Sequence, residues 1–219
     1  MTNVTLAQGA KVHECFYGIL KDFKYCIILD YIMTLYQQAE DFVISSFKNA
    51  KKEVDLKHFF RTVHWIRVLR PDADEALLIA AVSHDIERAY RPVNYNTLKT
   101  KGFTSGEHLT YHQQEGARII GDFLQKHKAD QKLISRVKML VAKHEVGGDP
   151  DQNMLMDADS ISFFENQIPQ FLTRILKETS KQAVKEKFEW MYNRISSDEA
   201  KKIAKPLYQK ALKKLEAMP

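Results

Sequence analysis

Hydrophobic positions recur at three- and four-residue spacing along most of the chain, and almost none alternate cleanly. The pattern therefore predicts an all-α protein. One helix is expected over residues 30–50 and another over 55–69. In the second, Leu56, Phe59, Phe60, Val63 and Ile66 or Arg67 form the apolar stripe, and Pro71 stops it. Asp72 with Glu75 reads as a capping box for the next helix. That helix carries the apolar run 76–82 and should continue to about residue 88 or 90. A loop over 91–103 follows. Thr104 with Glu107 opens a long helix to about 127, striped by Leu109, His112, Gly116, Ile119 or Ile120, and Phe123. The next helix, 130–145, lines up Leu133, Val137, Leu140 and His144, and Gly147 and Gly148 end it. Residues 151–168 are helical in pattern. Two or three further helices are expected to residue 217, with Pro206 breaking or kinking the last. The first 28 residues are ambiguous, apart from a helical piece around 13–23.

Composition adds bounds. With 219 residues, 44% of them hydrophobic, the chain can bury a core without disulfides or a structural metal. Only 8 Gly and 6 Pro argue against an all-β fold, which needs many tight turns. Cys15 and Cys26 make no disulfide framework, which points to a reducing compartment. No basic segment leads into an apolar core at the N-terminus, and the apolar stretch 25–39 is short and holds Asp30. A cytoplasmic protein with no membrane partner is expected. The net charge of +5 is concentrated: residues 199–219 hold six lysines against Glu199 and Glu216. A lysine-rich last helix is ordinarily a solvated face, so the charge argues little for nucleic acid.

Chemistry-bearing residues gather on successive predicted helices. His64 lies late in one, His84 near the end of the next, and His144 ends a third. His84 and Asp85 form a dipeptide, and Asp157 and Asp159 follow within a short acidic segment. Imidazoles and carboxylates suit a divalent metal with open positions. Asp85 follows an apolar run and Asp159 lies between Met156 and Ile161, so each is either partnered or solvent-facing. A metal would account for both.

The ordered pieces HWIRV (64–68), LLIAAVSHDIER (77–88), YHQQEGARIIGDFL (111–124), LVAKHE (140–145) and LMDADSISFF (155–164) resemble the HD superfamily of metal-dependent phosphohydrolases. The resemblance covers about residues 55–165. It implies an HD-domain-like helical bundle with additional helices at both ends. The expected organisation is N-terminal helices over 1–54 packed on the core, a metal-binding core over 55–168, and C-terminal helices over 169–219 of the same domain. It implies His64, His84, Asp85 and Asp159 as metal ligands, with Asp157 the alternative if the alignment slips by two. His112 and His144 match positions that bind a second metal or the substrate. Arg67 and Arg88 match positions near the substrate, and Glu87 stands where many members have glycine.

The implied activity is hydrolysis of a phosphoester, in a nucleotide or another small phosphorylated metabolite. One or two divalent ions (Mn, Ni, Co, Zn, Mg or Fe) would lower the pKa of a bound water and polarise a phosphoryl oxygen. Arg67, Arg88, Lys143, or the loop cations Arg91, Lys99 and Lys101 are candidates to offset charge in the transition state. Glu87 or Glu115 is a candidate to position water or take its proton. His13, His58 and His127 read as satisfied core or surface histidines, and His108 as a non-ligand on the His112 face. Two competing readings are a di-iron oxygenase of the same fold, and a non-catalytic nucleotide-binding module.

Overall fold

The computed structural model describes residues 33–91 and 106–218, without the side chains of Glu107 and His108. The readings placed on His13, Cys15, Cys26, Lys99, Lys101, Thr104 and His108 lie outside the described residues. The described residues from Leu35 onward form one compact unit. It is all-α: no strand occurs among the described residues. No described helix is long and apolar enough to cross a membrane.

The helices are α1 (Leu35–Asn49), α2 (Leu56–Leu69), α3 (Glu75–Ser83), the short α4 (Glu87–Tyr90), α5 (Gly106–Lys126), α6 (Gln131–Val141), α7 (Pro150–Asn166), α8 (Lys181–Asn193) and α9 (Asp198–Glu216). Between α7 and α8 runs a helical segment whose middle, Phe171–Ile175, is π-wound. Local chemistry sets several of these boundaries. Asp74, rather than Asp72, caps α3 by accepting from the Leu77 backbone N–H at 3.0 Å. Asp149 caps α7 in a full capping box with Gln152, and Pro150 takes the first helical position. Gly147, at φ 68°, supplies the left-handed turn just ahead of that cap. Pro206 lies inside a continuous α9 rather than breaking it.

Two hydrophobic clusters make the interior. The first joins α1, α2, α3, α5 and α6 through residues such as Phe47, Phe59, Ile79, Ile120 and Leu140, together with Leu155 and Ala158 of α7. The second joins Ile161, Phe163 and Phe164 of α7 to α8 and α9 through Phe188, Met191, Ala204 and Leu215. Helix α7 therefore serves both clusters, and it is buried almost without interruption from Leu155 to Phe164. Trp65 packs against both clusters, and its indole N–H donates to Glu165 of α7 at 3.1 Å. A helix buried on all sides has no solvent face for its polar residues. Asp157, Asp159, Ser160 and Ser162 must all find partners inside the protein.

Candidate metal centre

The His84–Asp85 dipeptide sits where α3 stops. Beyond Ser83 the chain tightens into i→i+3 turns: Ile86 N–H donates to Ser83 O at 3.0 Å and Arg88 N–H to Asp85 O at 3.0 Å. The His84 ring turns back, and its Nδ1 lies 2.9 Å from Ala81 O. The end of α6 repeats this device. His144 N–H donates to Val141 O at 3.4 Å, and His144 Nδ1 lies 2.8 Å from the same carbonyl. A carbonyl has no proton, so in both rings Nδ1 carries a hydrogen, and Nε2 presents a lone pair when the ring is neutral.

The same logic fixes two more rings. The Ser162 hydroxyl donates to His58 O at 2.8 Å, so its oxygen accepts from His58 Nδ1, also at 2.8 Å. His112 Nδ1 donates to Glu87 Oε2 at 2.8 Å. All four imidazoles thus turn Nε2 towards the centre, bare whenever the ring is neutral, and only acceptors meet it there. His58 Nε2 is 3.2 Å from His84 Nε2 and 3.0 Å from Asp159 Oδ1. His84 Nε2 is 3.5 Å from Asp159 Oδ1 and 3.6 Å from Asp85 Oδ2. On the other side of Asp85, His112 Nε2 is 2.7 Å and His144 Nε2 3.7 Å from Oδ1. His144 Nε2 is fully buried with no hydrogen-bond partner.

Converging lone pairs repel unless a cation lies among them. Ligand atoms about 2.1 Å from a metal stand roughly 3.0–3.4 Å apart; the His58–His84 and His58–Asp159 separations fall in that range, and the other four lie within about 0.3 Å of it. The donor atoms form two groups, His58 with His84 and Asp85, and Asp85 with His112 and His144, both able to hold a metal ion. Nitrogen and carboxylate donors of this kind suit a first-row divalent ion. The residues present therefore fit the group.

In the metal-free protein, protons take part of that role. Burial disfavours the His112 imidazolium, but hydrogen bonds to Asp85 and Glu87 outweigh it and raise its pKa to about 9. Burial holds His144 below the usual histidine value, as a neutral ligand requires. Burial also opposes ionisation of Asp85 and Asp159. Nearby cations win: Arg88 holds Asp85, and Arg194 holds Asp159, well below the usual carboxylate range. Arg88 Nη2 lies 3.0 Å from Asp85 Oδ2. Arg194 pairs with both Asp159 and Glu145, and its Nε donates to Ser160 Oγ at 2.8 Å.

The structure corrects one expected ligand. His64 is exposed and packs edge-on to Trp65, while His58 is buried and lies in the cluster. The reason is helical phase. The buried face of α2 is His58, Phe59, Thr62, Val63 and Ile66, and His64 shares the opposite face with exposed Phe60 and Arg67. Arg67 stacks over the Tyr36 ring at 5.4 Å and does not reach the cluster. Lys143 is exposed. Glu115 pairs with Arg118 in an exposed i, i+3 bridge rather than with the site. His84, Asp85, His112, His144 and Asp159 are brought together, and Arg88 flanks them. Glu87 does reach the site, where its Oε2 accepts from His112 Nδ1 and orients that ring. Asp157 points elsewhere: it accepts from Ser196 N–H at 2.6 Å and Ser197 N–H at 2.9 Å, closing the start of α9.

Sequence reasoning missed Glu145, Lys187 and Arg194. Glu145 stands next to His144, but nothing local marks its partner. Lys187 and Trp190 on α8 and Arg194 at its C-cap recur at three- and four-residue spacing, and that stripe was the available signal.

Fold and site together define an all-α protein with a buried histidine–carboxylate centre able to hold a metal ion. The chain belongs to the family described as Domain of unknown function (DUF4202), whose model matches residues 34–215. No curated protein and no solved structure matches it.

Proposed function

We propose that this protein is a metal-dependent phosphohydrolase of the HD type, acting on a phosphoester of a nucleotide or another small phosphorylated metabolite. The observation that carries the reading is the set of four Nε2 atoms converging on Asp85 and Asp159, with every Nδ1 already committed elsewhere. The order of these residues along the chain matches the HD resemblance, with His58 in place of His64.

His58, His84, Asp85 and Asp159 would hold one ion, and Asp85, His112 and His144 a second, with Asp85 common to both. A bound divalent ion supplies a water of lowered pKa and polarises a phosphoryl oxygen. The chain's own residues supply the rest. Ser162, Glu87 and two backbone carbonyls fix the imidazole tautomers before any ligand arrives, so little reorganisation accompanies reaction. Arg88, with its side chain 34% exposed, keeps one face open beside Asp85 and is placed to offset charge on a phosphoryl oxygen. Arg194 fixes the Asp159 carboxylate from behind and leaves Oδ1 facing His58.

The test is release of inorganic phosphate from a panel of phosphorylated metabolites by metal-replete protein, beside Asp85→Ala. Turnover in the wild type that vanishes with metal in the variant is expected. Turnover by Asp85→Ala at wild-type rate, or none by metal-replete wild type on any phosphoester, would contradict the reading.

A further inference from the structure

We infer that Lys187 is the docking cation for the substrate's phosphate dianion, so that the C-terminal helices take part in recognition. The inference rests on the phosphohydrolase reading and deepens it. Lys187 lies on α8, outside the span of the HD resemblance, and is only 9% exposed. Its Nζ sits 4.2 Å from the centroid of the Trp190 ring and 5.9 Å from that of Phe163. Among the described residues no carboxylate pairs with it. The other two cations of the site are neutralised at contact distance, Arg88 by Asp85, and Arg194 by Asp159 and Glu145.

A lysine buried to this extent without a carboxylate partner is costly, and proteins seldom keep one without a use. Burial pushes the Lys187 ammonium down to about 8, although Glu145 pulls the other way. The indole ring beneath it is shared. Arg194 Cζ lies 4.6 Å from the same centroid, so Lys187 stands one ring away from the guanidinium that holds Asp159. The aromatic contacts hold the side chain in place. A methionine of similar length would keep the packing on those rings and lose the cation–π attraction, which does not neutralise the charge. What the position lacks is an anion. A phosphate monoester dianion bound at the metal centre would supply it and would restore the full ammonium charge.

The test is calorimetric titration of the metal-loaded protein with inorganic phosphate, with metal content measured on the same samples. Lys187→Met is expected to keep wild-type metal content and to melt at a higher temperature, because an unneutralised buried charge is gone. It should bind phosphate roughly tenfold to a hundredfold more weakly, the effect of one charged hydrogen bond. Lys187→Arg should recover most of the affinity and shows that charge, not shape, is at issue. Wild-type phosphate affinity in Lys187→Met would overturn the inference while leaving the metal centre intact. Absence of metal from the wild type, with phosphate binding still dependent on Lys187, would instead overturn the hydrolase reading and leave this site standing.

Discussion

At His58 a single hydrogen bond decides the chemistry. Ser162 uses its proton on His58 O, so it can only accept from Nδ1, and Nε2 is left bare beside His84 and Asp159. His58→Ala is therefore expected to lose most bound metal, and His64→Ala to keep it, as elemental analysis of both variants would reveal. The two nearby aspartates separate in the same way. Asp159→Asn should release metal. Asp157→Ala should keep metal and lower stability by about 1–2 kcal/mol in chemical denaturation, the loss expected of a helix cap. Protons compete with metal here. His112 has a folded pKa of about 9 against an ordinary 6.5, so its stabilising charge pair is complete below 6.5 and is lost as pH rises through 9. Metal needs the deprotonated ring, so the rise in melting temperature on adding metal should grow between pH 6.5 and 9. A metal shift that shrinks over that range would contradict the ligand role of His112.

Helix ends and crossings place these residues. His84 and His144 each occupy the point where an α-helix loosens into i→i+3 turns, and α5 passes close to both. A Cβ added at Gly116 would meet His84 O at 3.4 Å and Val141 Cγ1 at 3.4 Å. Alanine fits that space. Gly116→Leu would push α5 away from both turns, and is expected to cost about 1–3 kcal/mol and weaken metal binding, read by thermal melts with and without metal. At this scale the sequence was informative about periodicity and less so about phase. The stripe of α2 was legible through Phe59, Val63 and Ile66, and those three already place His64 on the far side. The resemblance favoured His64, and the hydrophobic Phe60 blurred the phase. His84, Asp85, His112, His144 and Asp159 were legible because each adjoins a buried run. Arg194 was not: it meets Asp159 across 35 residues of chain, and a charged residue on an amphipathic helix ordinarily marks a solvated face.

Across the whole molecule, α7 ties the two hydrophobic clusters together, and the metal centre lies where they meet. Arg194 is the C-terminal half's contribution to that junction. Arg194→Met leaves Asp159 and Glu145 buried without their cation. It should destabilise the metal-free protein by about 3–5 kcal/mol, with part of the loss recovered on metal binding, as measured by denaturation in the two states. Everything at the centre turns on whether the converging histidine and carboxylate donors hold a metal. The most direct measurement is elemental analysis of untagged protein, purified without chelator and then soaked with each candidate divalent ion, as equivalents per chain for wild type and His58→Ala. At least one tightly held equivalent in the wild type, sharply reduced in His58→Ala, is the predicted result. A wild type that retains no ion under any of these conditions would contradict it.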